Sequence, residues 1–335
     1  MQTQNLHSLQ QPFPTLPCPL RQNLPRSTAQ AYFILYGDKL NFAALMNFQQ
    51  KCGVNFMLFD YWNEQQNTVV LLQGQWDAQW QSYAHQLGVD IAYLNFHARL
   101  QQKGLLVMDM DSTAIQIECI DEIAKLAGTG EMVSQITEQA MRGELDFEQS
   151  LRRRVSTLKG AKEEILQQVR ENLPLTSGLK ETLKTLQKYG WRTAIASGGF
   201  TYFADYLKDE LTLDAAVSNQ FEIANGILTG EVKGAVVDAQ YKARTLEQLA
   251  SQYHIPMENT VAIGDGANDL PMMKVANLGV AFHAKPKVQQ QAQIVINFAD
   301  LTALLCILGA NDRIMICPQK VGLNNQLIKV QIFYD

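Results

Sequence analysis

Hydrophobic and polar positions follow two different rhythms along the chain, and the change falls near Gly104. Upstream, Ala31–Tyr36 (AYFILY) predicts a short, aromatic-rich strand. Asn41–Cys52 carries Phe42, Leu45, Met46 and Phe48 at helical spacing and is stopped by Gly53. Val54–Tyr61 predicts a strand, Asn63–Asn67 a polar turn, and Thr68–Leu72 a strand ending at Gly74. Trp76–Leu87 predicts a helix closed by Gly88, and Val89–Leu94 a last strand. The order β-α-β-β-α-β is that of the ferredoxin-like motif, a small α+β domain over about residues 29–97.

Beyond Gly104 the pattern is that of an α/β protein. Leu105-Leu106-Val107-Met108 is a continuous apolar run, as expected of a strand buried on both faces. Helical periodicity then dominates from Glu118 to Lys188, with helices over Glu118–Leu126, Glu131–Met141, Phe147–Leu158 and Lys162–Asn172. Trp191–Ala196 predicts another buried strand, and Phe221–Val232, with Asn225-Gly226 inside it, a β-hairpin. Helices over Gln240–Tyr253, Leu270–Ala276 and Leu301–Leu308 alternate with strands over Val261–Gly264, Gly279–Phe282 and Ile294–Asn297. Such alternation implies a Rossmann-like parallel sheet with helices on both faces. The strandless block at about 117–178 reads as a helical cap inserted after the first strand of a domain spanning 98–312. Residues 1–28, with five prolines, read as a flexible leader, and 313–335 have no assignable period.

Composition narrows the function. The 335 residues carry 28 Lys and Arg against 33 Asp and Glu, a formal charge of −5, so no basic excess exists to neutralise nucleic-acid phosphates. The densest basic run is Arg152-Arg153-Arg154. The five cysteines (Cys18, Cys52, Cys119, Cys306, Cys317) are scattered without a C-x-x-C pair, which suits free thiols in a reducing compartment. The apolar stretch Leu301–Ala310 is about half a membrane span, and Met1–Gln11 is too polar for a signal peptide. A cytoplasmic protein without nucleic-acid or membrane partners is expected.

Four segments carry chemistry. Asp109-Met110-Asp111-Ser112-Thr113 follows the first buried strand, where α/β sheets bind ligands. Asp109 is a candidate nucleophile, since carboxylates form aspartyl-phosphates, and Asp111 a candidate acid and base. A pair of turn aspartates is the plainer reading. Ser197-Gly198-Gly199 follows the second buried strand and could cradle phosphate oxygens, or be an ordinary glycine turn. Lys242 lies in the first turn of a helix, where a lysine is usually a surface residue. Gly264-Asp265-Gly266-Ala267-Asn268-Asp269 follows a third strand, and its oxygen donors suit Mg²⁺. It shares part of a calcium loop's composition but lacks the ligand order of an EF-hand. At one edge of a parallel sheet these parts would supply what phosphoryl transfer needs.

The ordered set DMDST, SGGF, a lysine at a helix start and GDGANDLPM resembles the haloacid dehalogenase-like hydrolase superfamily over roughly residues 104–311. Within it, the resemblance is to the long bacterial members that act on phosphoserine. It implies a Mg²⁺-dependent phosphomonoesterase that cleaves O-phospho-L-serine to L-serine and phosphate, the last step of L-serine biosynthesis. Asp109 would be the nucleophile, Asp111 the acid/base, and Lys242 the neutralising cation. Ser197 and the Gly198 amide would hold the phosphoryl group, with Asn268 beside it. Asp109, Asp265 and the main-chain carbonyl of Asp111 would hold the metal, with Asp269 supporting. Glu118 falls where a substrate ammonium is bound, although a first-turn charge on a helix is the simpler reading. Arg154 falls where a substrate carboxylate is bound, and Met141 and Phe147 at apolar cap positions. The N-terminal unit resembles amino-acid-binding ACT modules, so a regulatory site, dimerisation to a homodimer or cap support are all open roles. Transfer to an alcohol such as homoserine instead of water, or amino-acid sensing without catalysis, are the rival readings.

Overall fold

The computed structural model describes residues 31–316. The expected leader over 1–28 lies outside the described residues, as does the tail from residue 317 onward.

The first unit contains β1 (Ala31–Gly37), α1 (Phe42–Cys52), β2 (Met57–Glu64), β3 (Asn67–Gly74), α2 (Gln79–Gln86) and β4 (Asp90–Tyr93). Its sheet has the order β2-β3-β1-β4 with every pairing antiparallel, the ferredoxin-like arrangement. Helix starts are set by side chains. The Asn41 carboxamide caps α1 by accepting from Ala44 N–H at 3.0 Å, and Gly53 closes that helix in the left-handed conformation. Asp77 binds Gln79 N–H at 2.8 Å, so α2 starts three residues later than the hydrophobic pattern suggests.

Alternation along β1 and β3 shows why these strands are apolar throughout. Phe33, Leu35, Val70 and Leu72 pack with α1 and α2 residues around Phe48 and Trp80. Ile34, Tyr36, Val69 and Leu71 face the other way and join the core of the larger unit.

The larger unit runs β5 (Leu105–Met108), α3 (Cys119–Leu126), α4 (Gly130–Met141), α5 (Phe147–Ser156), α6 (Glu164–Arg170), α7 (Leu179–Lys188), β6 (Arg192–Phe200), α8 (Thr201–Glu210), β7 (Ala215–Ala224) and β8 (Ile227–Lys233). It continues with α9 (Ala239–Gln252), β9 (Thr260–Gly264), α10 (Leu270–Val275), β10 (Leu278–Phe282), α11 (Pro286–Gln289), β11 (Ile294–Ile296) and α12 (Ala303–Ile316). The sheet order is β11-β10-β9-β5-β6-β7-β8, parallel except for the β7–β8 hairpin. β5 lies between β9 and β6, so its carboxyl end is the switch point where a doubly wound sheet opens a ligand crevice.

Helices α3 to α6 form the inserted cap. Its two connections run side by side: Gln116 N–H donates to Pro174 O at 2.9 Å and Thr176 N–H to Ala114 O at 3.0 Å.

Three expectations are corrected. Helix α8 is absent from the sequence reading, because Thr201–Glu210 mixes aromatics and charges around few aliphatic residues. The hairpin begins six residues before Phe221, because Ala215–Ser218 are uniformly half-buried and alternation starts only at Asn219. The last helix does not end at Leu308 but continues through Arg313 to Ile316, anchored by Asn311, whose amide donates to Phe96 O and Ala98 O. Among the described residues no helix is long and apolar enough to cross a membrane.

Candidate active site

At the end of β5 the apolar run meets Asp109. Its N–H extends the ladder to Ile263 O at 3.0 Å, and its Oδ1 accepts from Met110 N–H at 2.7 Å. The chain then makes one wide turn, closed by Ile115 N–H on Met110 O at 3.0 Å. Ser112 within it has φ 55°, a left-handed conformation costly for a residue with a Cβ. The turn sends Ser112 Oγ to Glu118 Oε1 at 2.7 Å and Thr113 Oγ1 to Asp265 Oδ1 at 3.4 Å.

Lys242 is fully buried, not a surface residue. Asp238 caps α9 by accepting from Tyr241 N–H at 2.7 Å, which places Lys242 in the first turn facing inward. Its Nζ lies 2.8 Å from Asp109 Oδ2 and 2.7 Å from Asp269 Oδ1. Burial works against its charge, yet the two carboxylates outweigh burial and raise its pKa. Asp269 Oδ2 in turn accepts from Gly266 N–H at 3.0 Å. Glycine is required at 264, since a Cβ there would strike the Asp269 carboxyl.

The Ser197-Gly198-Gly199 segment sits where β6 breaks register with β7. Gly199 N–H donates to Ser197 Oγ at 2.9 Å. A Cβ on Gly198 would lie 2.8 Å from Phe147 Cζ, so the cap's Phe147 ring rests on this loop. A Cβ on Gly199 would lie 2.6 Å from Met110 Cε and 3.0 Å from Asp111 Oδ2. Asn219, which the sequence reading passed over, holds the Gly198 carbonyl.

Asp111 opens toward the cap. Burial first, then the charges of Glu118 and Asp109, lift its pKa well above the usual carboxylate range, and the Cys119 N–H at 3.4 Å compensates weakly. Asp265 is pushed up to about 6, by burial and then by Asp109 and Glu118. Arg154 is half-buried on α5. Among the described residues its guanidinium makes no hydrogen bond or ion pair, and its Nε is buried without a partner. The carboxylates of Asp121, Glu118 and Asp111 act on it only at a distance. Met141 is not brought to this group. It ends α4 with 68% of its surface exposed, because the chain turns outward at Gly143, φ 79°. Asn268, in the short turn after β9, stands half-buried beside Gly266.

Carboxylate oxygens of Asp109, Asp265 and Asp269 lie within 4.8 Å of one another. The Asp111 carboxyl is outside that trio. Hard oxygen donors held this close together fit a divalent cation.

The family model for haloacid dehalogenase-like hydrolase matches residues 106–274. The chain belongs to this family. A second model, described as a domain of unknown function, matches residues 29–93. The chain is 67% identical over 314 residues to the phosphoserine phosphatase of Haemophilus influenzae, covering 94% of this chain and 100% of that one. It is similar to the unliganded crystal structure of a probable phosphoserine phosphatase from Vibrio cholerae, with TM-score 0.78, 51% identity and coverage of 88% and 90%. A phospho-aspartyl intermediate analogue of phosphoserine phosphatase matches with TM-score 0.58 and 44% identity, over 61% of this chain and 98% of that one.

Proposed function

We propose that this hydrolase removes the phosphoryl group from O-phospho-L-serine through an aspartyl-phosphate on Asp109. The observation that carries the reading is the pairing of two unlike ends around Asp109 and Asp111. At one end, Lys242 reaches Asp109 and the Ser197–Gly199 segment lies against Met110 and Asp111. At the other, Glu118 and the unpartnered Arg154 offer one anion and one guanidinium to a zwitterion. The identity to phosphoserine phosphatases supports it.

A carboxylate oxygen of Asp109 attacks phosphorus as the bond from phosphorus to the serine oxygen breaks. Asp111, whose protonated form is favoured by burial and by the charges of Glu118 and Asp109, would give its proton to that leaving oxygen. Once serine has left, the Asp111 carboxylate takes a proton from water as the water attacks phosphorus. The bond to Asp109 breaks and phosphate is released. Lys242, the Ser197 hydroxyl and the Gly198 amide would hold the equatorial oxygens, with Asn268 beside them. Asp109, Asp265 and the Asp111 carbonyl would hold Mg²⁺, with Asp269 beside them fixing Lys242. Bound there, the ion neutralises charge on the transferring group and on the crowded carboxylates. Phe147 and the cap would exclude water. We place this activity in the cytoplasm on the strength of the scattered thiols, and at the end of L-serine biosynthesis as the family resemblance implies.

The test is phosphate release from O-phospho-L-serine and from p-nitrophenyl phosphate, with Mg²⁺ and after chelation. Release from phosphoserine should require the metal. Arg154→Ala should lower kcat/KM on phosphoserine by roughly 10–100-fold, the loss of about 1.5–3 kcal/mol for a charged hydrogen bond, and spare p-nitrophenyl phosphate. Equal losses on both esters would remove Arg154 from the substrate site.

A further inference from the structure

Asn219 spends both ends of its amide on the two loops that would handle the phosphoryl group. Where β6 leaves its register with β7, between Ala196 and Phe200, the Gly198 carbonyl is taken by a side chain: Asn219 Nδ2 donates to it at 2.8 Å. Asn219 Oδ1 accepts from Val237 N–H at 2.8 Å, one residue before the cap of the helix that carries Lys242. The residue is 1% exposed. A main-chain carbonyl on one side and a main-chain N–H on the other leave the amide a single orientation.

We propose that Asn219 is a positioning residue that aims the Ser197 hydroxyl at the phosphoryl group and sets its spacing from Lys242. The proposal rests on the phosphohydrolase reading of this site. The Gly198 carbonyl and the Gly199 N–H belong to one planar peptide unit. Holding the carbonyl therefore fixes the direction of that N–H, which donates to Ser197 Oγ at 2.9 Å. An oxygen that already accepts this bond keeps its own hydrogen for a phosphoryl oxygen. Donors run in one sense from Val237 through Asn219 and the peptide to Ser197, so each bond polarises the next. Because the other end of Asn219 holds Val237, the phosphate loop and the lysine helix cannot drift apart.

The experiment is a double-mutant cycle in the full chain with Mg²⁺, combining Asn219→Ala with Ser197→Ala. It reads kcat and KM on phosphoserine, and calorimetric binding of inorganic phosphate and of L-serine. Asn219→Ala should lower kcat about 10-fold or more and weaken phosphate about 10-fold, a fraction of the loss for removing a direct donor. L-serine binding should stay within about 2-fold, since the proposed function puts serine on Glu118 and Arg154, and in the Ser197→Ala background the Asn219 change should cost less than about 2-fold. Equal losses of phosphate and L-serine binding, or factors that multiply fully in the double variant, would overturn the proposal. Should Asn219→Ala not fold, Asn219→Ser carries the same cycle. Hydrogen exchange on the unmodified chain adds an independent readout, with strong protection expected at the Val237 amide and rapid exchange counting against the clamp. If the unmodified chain releases no phosphate from phosphoserine, the substrate reading fails, while the phosphate-binding arm still decides the role of Asn219.

Discussion

Single residues at the sheet edge show how closely chemistry and sterics are joined. Two carboxylates two positions apart, Asp109 and Asp111, stand in opposite electrostatic surroundings. Asp109 faces Lys242 at 2.8 Å, whereas Asp111 faces Glu118 and a weak amide donor. A general acid acts in its protonated form, so raising the pH through an elevated Asp111 pKa removes the acid. Phosphoenzyme formation from phosphoserine should therefore fall as pH rises through that pKa. With p-nitrophenyl phosphate, whose leaving group needs no proton, it should not, and rapid-quench burst measurements with both esters decide the point. Asp111→Asn should lower the phosphoserine burst about 100-fold or more and the other far less. Gly264→Ala should cost about 1–3 kcal/mol in urea unfolding, because its Cβ enters the space of the Asp269 carboxyl that Lys242 holds in place. Asp109 and Asp265 are legible in the sequence because each follows an apolar strand run, and Ser197 because two glycines follow it near the end of β6, whereas the burial of Lys242 is not, since a lysine in the first turn of a helix is usually exposed. Asn219 is not legible either, since a polar residue in a half-buried strand carries no local signature until the broken β6 register gives it a carbonyl to hold.

Secondary-structure elements position these groups through their ends. The strand runs Leu105–Met108 and Thr260–Gly264 were readable because strands buried on both faces are continuously apolar. Elements whose faces are mixed were less so: α8 escaped notice, and α12 extends eight residues past Leu308 because Asn311, Asp312 and Arg313 look like a stop but bond back to the protein. Met141 shows the limit of placing a residue by motif spacing alone, since a turn at Gly143 decides where the end of α4 points. Between cap and core, the Arg170 guanidinium at the end of α6 lies 4.8 Å from the Tyr202 ring and 5.3 Å from the Tyr206 ring on α8. At about 0.5–1 kcal/mol per ring, this contact would favour the cap position seen here. Arg170→Ala should raise KM for phosphoserine roughly 5-fold with kcat little changed, and steady-state kinetics showing an unchanged KM would remove the contact from cap closure.

Across the molecule, the small N-terminal unit is joined to the catalytic one through buried polar chemistry as well as apolar packing. Asp90, fully buried, accepts the N–H groups of Asn297, Phe298 and Ala299 at 2.8, 3.0 and 2.9 Å. Asn67 Nδ2 donates to Thr302 Oγ1 at 2.9 Å beside it. Asp90→Ala should lower stability by about 2–3 kcal/mol in urea unfolding, the cost of leaving buried donors unpaired. Turnover under folding conditions should be nearly unchanged, because the substitution lies outside the cluster around Asp109. This junction could not be read from the sequence, whose patterns report faces within an element and not which unit covers them. The net charge of −5 likewise says little about an anionic substrate, since on the proposed function attraction would rest on Lys242, Arg154 and a cation against a local excess of carboxylates. The central claim is that Asp109 becomes phosphorylated. Rapid-quench mass spectrometry of the Asp109 peptide during phosphoserine turnover tests it directly. The account predicts a transient phosphoryl adduct on Asp109, absent in Asp109→Asn together with a loss of turnover exceeding about 1,000-fold. Undiminished phosphate release by Asp109→Asn would contradict it.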